Sequence, residues 1–100
     1  MVLAVEYDGT LVRENTSVGT QEVIDYLKFH KKAGWELTLI TTRQGQELQE
    51  AMDWCQRMGL DFDYINRNPD WFIEAQGGDC RAIYYDKIVT TKRVLIERKA

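Results

Sequence analysis

The run Val2-Leu3-Ala4-Val5 constrains the fold more than any other stretch of this chain. Four apolar residues in succession leave no wet face. The run therefore predicts a strand over Met1–Tyr7 buried on both sides, as in a parallel sheet covered by helices above and below. Asp8-Gly9 stops it, and a polar connection leads to Gly19. Thr20 suits the N-cap of a helix running to about Ala33, with Val23, Ile24, Leu27 and His30 on one face and Gly34 past its end. Glu36–Thr41 reads as a second strand.

Gln44–Met58 carries the clearest helical spacing. Its expected apolar face is Leu48, Ala51, Met52, Cys55 and Met58, which leaves Trp54 to one side and partly exposed. Asp63–Asn66 suggests a third strand, broken by Asn68-Pro69. Asp70–Ala75 suggests a short helical turn capped by Asp70, and Gly77-Gly78 a loop. Ala82–Tyr85 and Ile88–Val89 read as a fourth strand with a bend at Asp86-Lys87. Val94–Arg98 fits a last strand or a helical tail equally well. Strand and helix in alternation predict a three-layer α/β/α sandwich around a mostly parallel, Rossmann-like sheet of four or five strands joined by right-handed crossovers.

One hundred residues, 44% of them apolar and 29% charged, suit one domain over 1–100 with its own core. The net charge of -3 argues against nucleic acid or an anionic membrane as partner, and no apolar stretch approaches the length of a membrane span. The N-terminal run meets Glu6 and Asp8 too early for a signal peptide. Basic residues gather late in the chain (Lys87, Lys92, Arg93, Arg98, Lys99), but apolar neighbours and Glu97 make a solvated face the expectation. Cys55 and Cys80 have neither metal-knuckle nor redox-pair spacing, so both read as structural in a reducing, cytoplasmic setting.

In a parallel α/β sheet, ligands bind beyond the carboxyl ends of the strands. That rule selects Tyr7–Thr10, Thr41–Arg43, Asn66–Asn68 and Asp86–Thr91. At the end of the first strand, Glu6 and Asp8 stand two residues apart where it opens into a loop. Such carboxylates can meet at one ligand or one Mg²⁺. The plainer reading of Asp8-Gly9 is a turn, and of Glu6 a surface carboxylate.

Glu6-Tyr7-Asp8-Gly9-Thr10-Leu11-Val12 resembles the first motif of haloacid-dehalogenase (HAD)-like phosphatases, DxDGT followed by an apolar pair. LTLITTR is similar to their second motif, and GDCRAIYYDKIVTTK resembles the closing segment of the small, capless members. The resemblance spans about nine-tenths of the chain. It implies Glu6 and Asp8 as catalytic and Mg²⁺-binding positions, Glu6 at the nucleophile and Asp8 at the general acid/base. It also implies Thr10, Thr41, Thr42 and Arg43 as phosphate contacts.

The departures weigh as much as the matches. Glu6 replaces an aspartate, Ala82 replaces a lysine although Arg81 is adjacent, and Thr90-Thr91 replace an acidic pair. An extra methylene moves the attacking oxygen by about 1 Å, a displacement that costs on the order of a hundredfold. Without the acidic pair, Mg²⁺ binding is expected to be weak or absent. Lys87 and Lys92 are the nearby sources of charge. Asp86 lies four residues before Thr90, about 13 Å along a strand, and is expected to be structural.

The expectation is a catalytically impaired HAD-like domain serving as a binding module for a phosphorylated small ligand or a protein, including a second copy of itself. The rival is a weak Mg²⁺-dependent phosphatase acting on a small phosphate ester through Glu6 and Asp8. A third option is an accessory protein acting wholly through its interactions. Trp71-Phe72 is the stretch that suits an interface, while His30, the lone histidine, reads as a satisfied helix-face residue.

Overall fold

A computed structural model describes residues 1–13, 19–77 and 82–90 and the backbone of 93–96. In chain order it forms β1 (Val2–Glu6), α1 (Gln21–Lys32), β2 (Glu36–Ile40), α2 (Gly45–Arg57), β3 (Tyr64–Ile65), α3 (Asp70–Gln76), β4 (Lys87–Thr90) and β5 (Arg93–Ile96). The five strands make one sheet in the order β3-β2-β1-β4-β5. β1, β2, β3 and β4 run parallel, and β5 pairs antiparallel with β4. This settles Arg93–Ile96 as strand rather than helix. Expectations placed on Gly78, Cys80, Arg81, Thr91, Lys92, Glu97, Arg98 and Lys99 lie outside the described residues.

Connection by connection, the chain steps from β1 through α1 to β2 and through α2 to β3. It then returns through α3 to β4 on the other side of β1. With right-handed crossovers, α1 and α2 share one face and α3 covers the other. Side-chain parity agrees. Leu3, Val5, Leu37, Leu39 and Val89 form one buried cluster with Val23, Ile24 and Leu27 of α1 and Ala51, Trp54 and Cys55 of α2. Val2 and Ala4, of the opposite parity, are fully buried as well. The unbroken apolar run of β1 is thus explained by layers on both sides.

Three expectations need correction. Trp54 is 5% exposed and sits in the core, whereas Met52 and Met58 are 37% and 36% exposed. The buried face of α2 is rotated toward Trp54 because the indole buries more area than a thioether and finds a partner. It packs edge-on to Tyr7, with ring centroids 5.9 Å apart, and covers Gly19, where a Cβ would lie 2.7 Å from the ring. Second, Asp70 does not cap α3: Pro69 holds the N-cap position and Asp70 bonds Arg67 at 2.5 Å. Third, Ala82–Tyr85 is not strand, and β4 begins at Lys87. Buried Asn68 fixes the preceding segment instead, accepting the Tyr84 N–H at 2.7 Å and donating to the Ala82 carbonyl at 3.0 Å.

Other readings are matched. Thr20 precedes α1, although its side chain makes no capping bond. His30 is buried on the α1 face, in the helix's last turn, with Nδ1 donating to the Tyr26 carbonyl at 3.0 Å. Asp86 is structural. It accepts the Val2 N–H at 2.7 Å and the Tyr84 hydroxyl at 2.7 Å, and its own N–H donates to the Val2 carbonyl. It therefore ties the amino ends of β1 and β4, at the opposite end of the sheet from Thr90. Among the described residues, no helix is long and apolar enough to cross a membrane.

Candidate functional site at the carboxyl ends of the strands

The order β3-β2-β1-β4 reverses direction between β1 and β4. Such a reversal opens a crevice beyond the strands' carboxyl ends. Glu6 ends β1 on one side of that point and Thr90 ends β4 on the other. Beside it, beyond the carboxyl ends of β1 and β2, Glu6, Tyr7, Asp8, Ile40, Thr41 and Thr42 line a hollow of about 220 Å³. The end of the sheet that the sequence rule selects thus carries a hollow whose lining includes Glu6 and Asp8.

The Thr90 hydroxyl donates to Glu6 Oε1. Both side chains are half-buried, and the bond spans the point where the sheet reverses. Asp8 is engaged separately. Arg43 donates to it through two nitrogens, at 3.0 and 2.9 Å, in a bidentate pair. Arg43 also lies over the Tyr7 ring, 5.0 Å from its centroid. The hydrogen bond to Asp8 raises the Arg43 pKa. Burial, followed by the charge of Cys55, raises that of Tyr7.

Local structure holds Arg43 in place. Its backbone N–H donates to the Thr41 hydroxyl at 3.0 Å, a short turn typical of threonine. The Thr41 N–H in turn donates to Asn66 Oδ1 at 2.9 Å. Asn66 sits just past β3 with φ of 55°, a region that asparagine tolerates better than most residues. Gly9, at φ 82°, allows the chain to fold back after Asp8, so that the Leu11 and Val12 N–H groups donate to Glu6 and Tyr7.

The four expected phosphate contacts separate here. Thr41 and Thr42 line the hollow, and Arg43 borders it through Asp8. Thr10 is 1% exposed and is not among the lining residues, so it belongs to the packed turn. Asn66 was flagged only as a strand-end position; its service to the Thr41 loop is a side-chain role that spacing does not encode. Asn68 falls in the same strand-end segment and before Pro69, and its bonds to Ala82 and Tyr84 are likewise a side-chain role that spacing does not encode.

Fold and site together define a small Rossmann-like α/β domain with a polar, internally bonded hollow at the carboxyl ends of β1 and β2, next to the sheet's switch point. No family model and no curated protein matches the sequence. Among solved structures it is similar to a conserved protein from Bacteroides thetaiotaomicron, at 28% identity with a TM-score of 0.76. The alignment covers 90% of this chain and 74% of that one.

Proposed function

We propose that this chain is a HAD-like domain whose phosphotransfer site no longer turns over, and which works as a binding module. The hydrogen bond from Thr90 to Glu6 carries this reading. Where the resembling phosphatases place an acidic pair, this chain puts a neutral hydroxyl, and that hydroxyl donates to the carboxylate at the nucleophile position. A carboxylate that accepts a donor at its reactive end is a weaker nucleophile, and glutamate already misplaces the oxygen by about 1 Å.

The donors present do not fit Mg²⁺. The ion requires near-octahedral oxygen ligands, usually with one or two carboxylates among them. Both Asp8 oxygens are committed to Arg43, and Thr90 brings no charge. Glu6, already accepting from Thr90, is the one carboxylate left beside the Asp8 backbone carbonyl, and no chemical step is assigned through the metal. Binding of a phosphorylated small ligand in the hollow draws its support from Thr41, Thr42 and Arg43. An anion there would have to compete with Asp8 for the guanidinium.

The test pairs calorimetric titration of Mg²⁺ with p-nitrophenyl phosphate turnover. The expected result is no sub-millimolar binding and no turnover in the native chain. Turnover that disappears in Glu6→Gln would overturn the reading and make the chain a weak phosphohydrolase. Thr90→Asp is expected to raise Mg²⁺ affinity by at least about tenfold, because it returns a second carboxylate to the switch point.

A further inference from the structure

The other face of the sheet carries an aromatic surface that the cleft does not use. Glu36, at the start of β2, accepts the Tyr64 hydroxyl at 2.8 Å on one oxygen and the Trp71 indole N–H at 2.9 Å on the other. Trp71 also packs edge-on to Phe72 and Tyr84, with centroids 5.9 and 6.0 Å away. Phe72 and Tyr84 stack at 4.6 Å and 20°. The indole is thereby fixed on two sides, yet Trp71 remains 47% exposed. A held, half-open tryptophan loses little conformational freedom on binding, which is what distinguishes an anchor from a stray surface residue.

Charge around the indole is one-sided. Glu36 bonds it directly, and Asp70 precedes it. Glu74 lies three positions on along α3, the spacing of neighbours on one helix face. Arg67 is committed to Asp70 and to the Tyr64 ring, 5.4 Å from the centroid, and Lys31 to Asp63 at 2.8 Å. The Tyr64 phenol registers the same field. Burial, then the hydrogen bond and charge of Glu36, then the charges of Asp63 and Asp70, push its pKa up to about 12.

We infer that the Trp71 face docks a basic segment of a protein partner, with an arginine or lysine lying on the indole among Glu36, Asp70 and Glu74. The inference rests on the binding-module reading and names the partner's chemistry. Cation–π attraction to tryptophan is the strongest of its kind, and flanking carboxylates add to it without a new desolvated pair. A second copy of this chain suits the face less well, because its acidic rim would meet itself.

The experiment titrates the full chain with the acetylated, amidated peptide Gly-Arg-Gly-Arg-Gly and with its citrulline counterpart, which keeps the shape and loses the charge. The readout is the indole N–H resonances, with affinity from calorimetry. The arginine peptide is expected to shift the Trp71 signal and leave those of Trp35 and Trp54 in place. Its affinity should exceed that of the citrulline peptide by about tenfold or more. Trp71→Leu should abolish the shift and weaken binding by about the same factor. Glu74→Gln, an exposed change outside the hydrogen-bonded cluster, should weaken it severalfold with unchanged melting. Equal binding of the two peptides, no binding, or full affinity in Glu74→Gln and Trp71→Leu would overturn the inference. Phosphate-ester turnover found alongside selective arginine binding would sink the earlier reading and leave this one standing.

Discussion

Replacing Thr38 by valine should make this protein more stable. Thr38 is the middle residue of β2, fully buried, with Ala4 and Tyr64 beside it in register. Its hydroxyl has no hydrogen-bond partner among the described residues. A buried hydroxyl without a partner costs about 1–3 kcal/mol of lost hydration. Valine keeps the β-branched shape and the strand preference, so neither a cavity nor a rotamer clash is introduced. The expected gain is about 1–2 kcal/mol, equivalent to a melting temperature higher by roughly 4–16 °C in a domain of this length. Urea denaturation at unchanged m-value is the assay. Thr38→Ser is the control, since it retains the hydroxyl, loses a methyl and should cost about 1 kcal/mol. A valine variant no more stable than the native chain, with the m-value preserved, would refute the reasoning and mean that the hydroxyl is satisfied.

Gly19→Ala should lose about 1–3 kcal/mol, because the added Cβ would meet the Trp54 ring at 2.7 Å and Ile24 at 3.1 Å; a change in buried-tryptophan fluorescence should accompany the loss. Arg43→Met should change stability by no more than about 1 kcal/mol, since the pair with Asp8 is partly exposed and such pairs contribute little. Urea melts of the variant beside the native chain check it. Stability should hold to about pH 9 and then fall toward pH 12. Burial raises the Cys55 thiol from 9.0 to about 12, and Tyr64 rises from 10.0 to about 12. The folded state therefore keeps these protons where the unfolded chain gives them up, and stability is lost as pH climbs through that window. Cys55→Val should move the onset upward in denaturant melts taken across it.

How far the sequence could be read depended on which physical signal each element carries. β1 was legible because four apolar residues in a row admit few environments. Both long helices were legible from their spacing and the glycines past their ends. The third strand was legible as well, although Asp63–Asn66 narrows to Tyr64–Ile65; the Ala82–Tyr85 segment was not. The ends of a short strand are set by its neighbour, here β2, and 82–85 is held by Asn68, fourteen and sixteen residues away from the groups it bonds. Trp54 misled for a related reason. Helical periodicity ranks positions by angle, whereas burial on α2 was decided by Tyr7 and by the missing side chain at Gly19.

The cleft divides along the same line. Its location follows from topology, and topology follows from the strand–helix alternation, so the strand-end rule selected Asp8 and Thr41–Arg43, with Glu6 just before them, without any coordinates. Its bonding pattern does not follow from either. Glu6 and Asp8, two residues apart, could have converged on one cation, and the spacing alone favours that outcome as much as any other. They diverge because each finds a different partner at long range: Thr90 across the switch point, and Arg43 carried there by the Thr41–Asn66 bridge. Arg43 stands 35 residues from Asp8 in sequence, so its reach is a consequence of β1 and β2 being parallel neighbours in register. The character of the site is therefore set by what lies beside the carboxylates rather than by the carboxylates themselves. A substitution at Thr90 or Arg43 should alter ligand preference more than one at Thr10, which the resemblance ranked with the phosphate contacts and the packing withdraws into the turn.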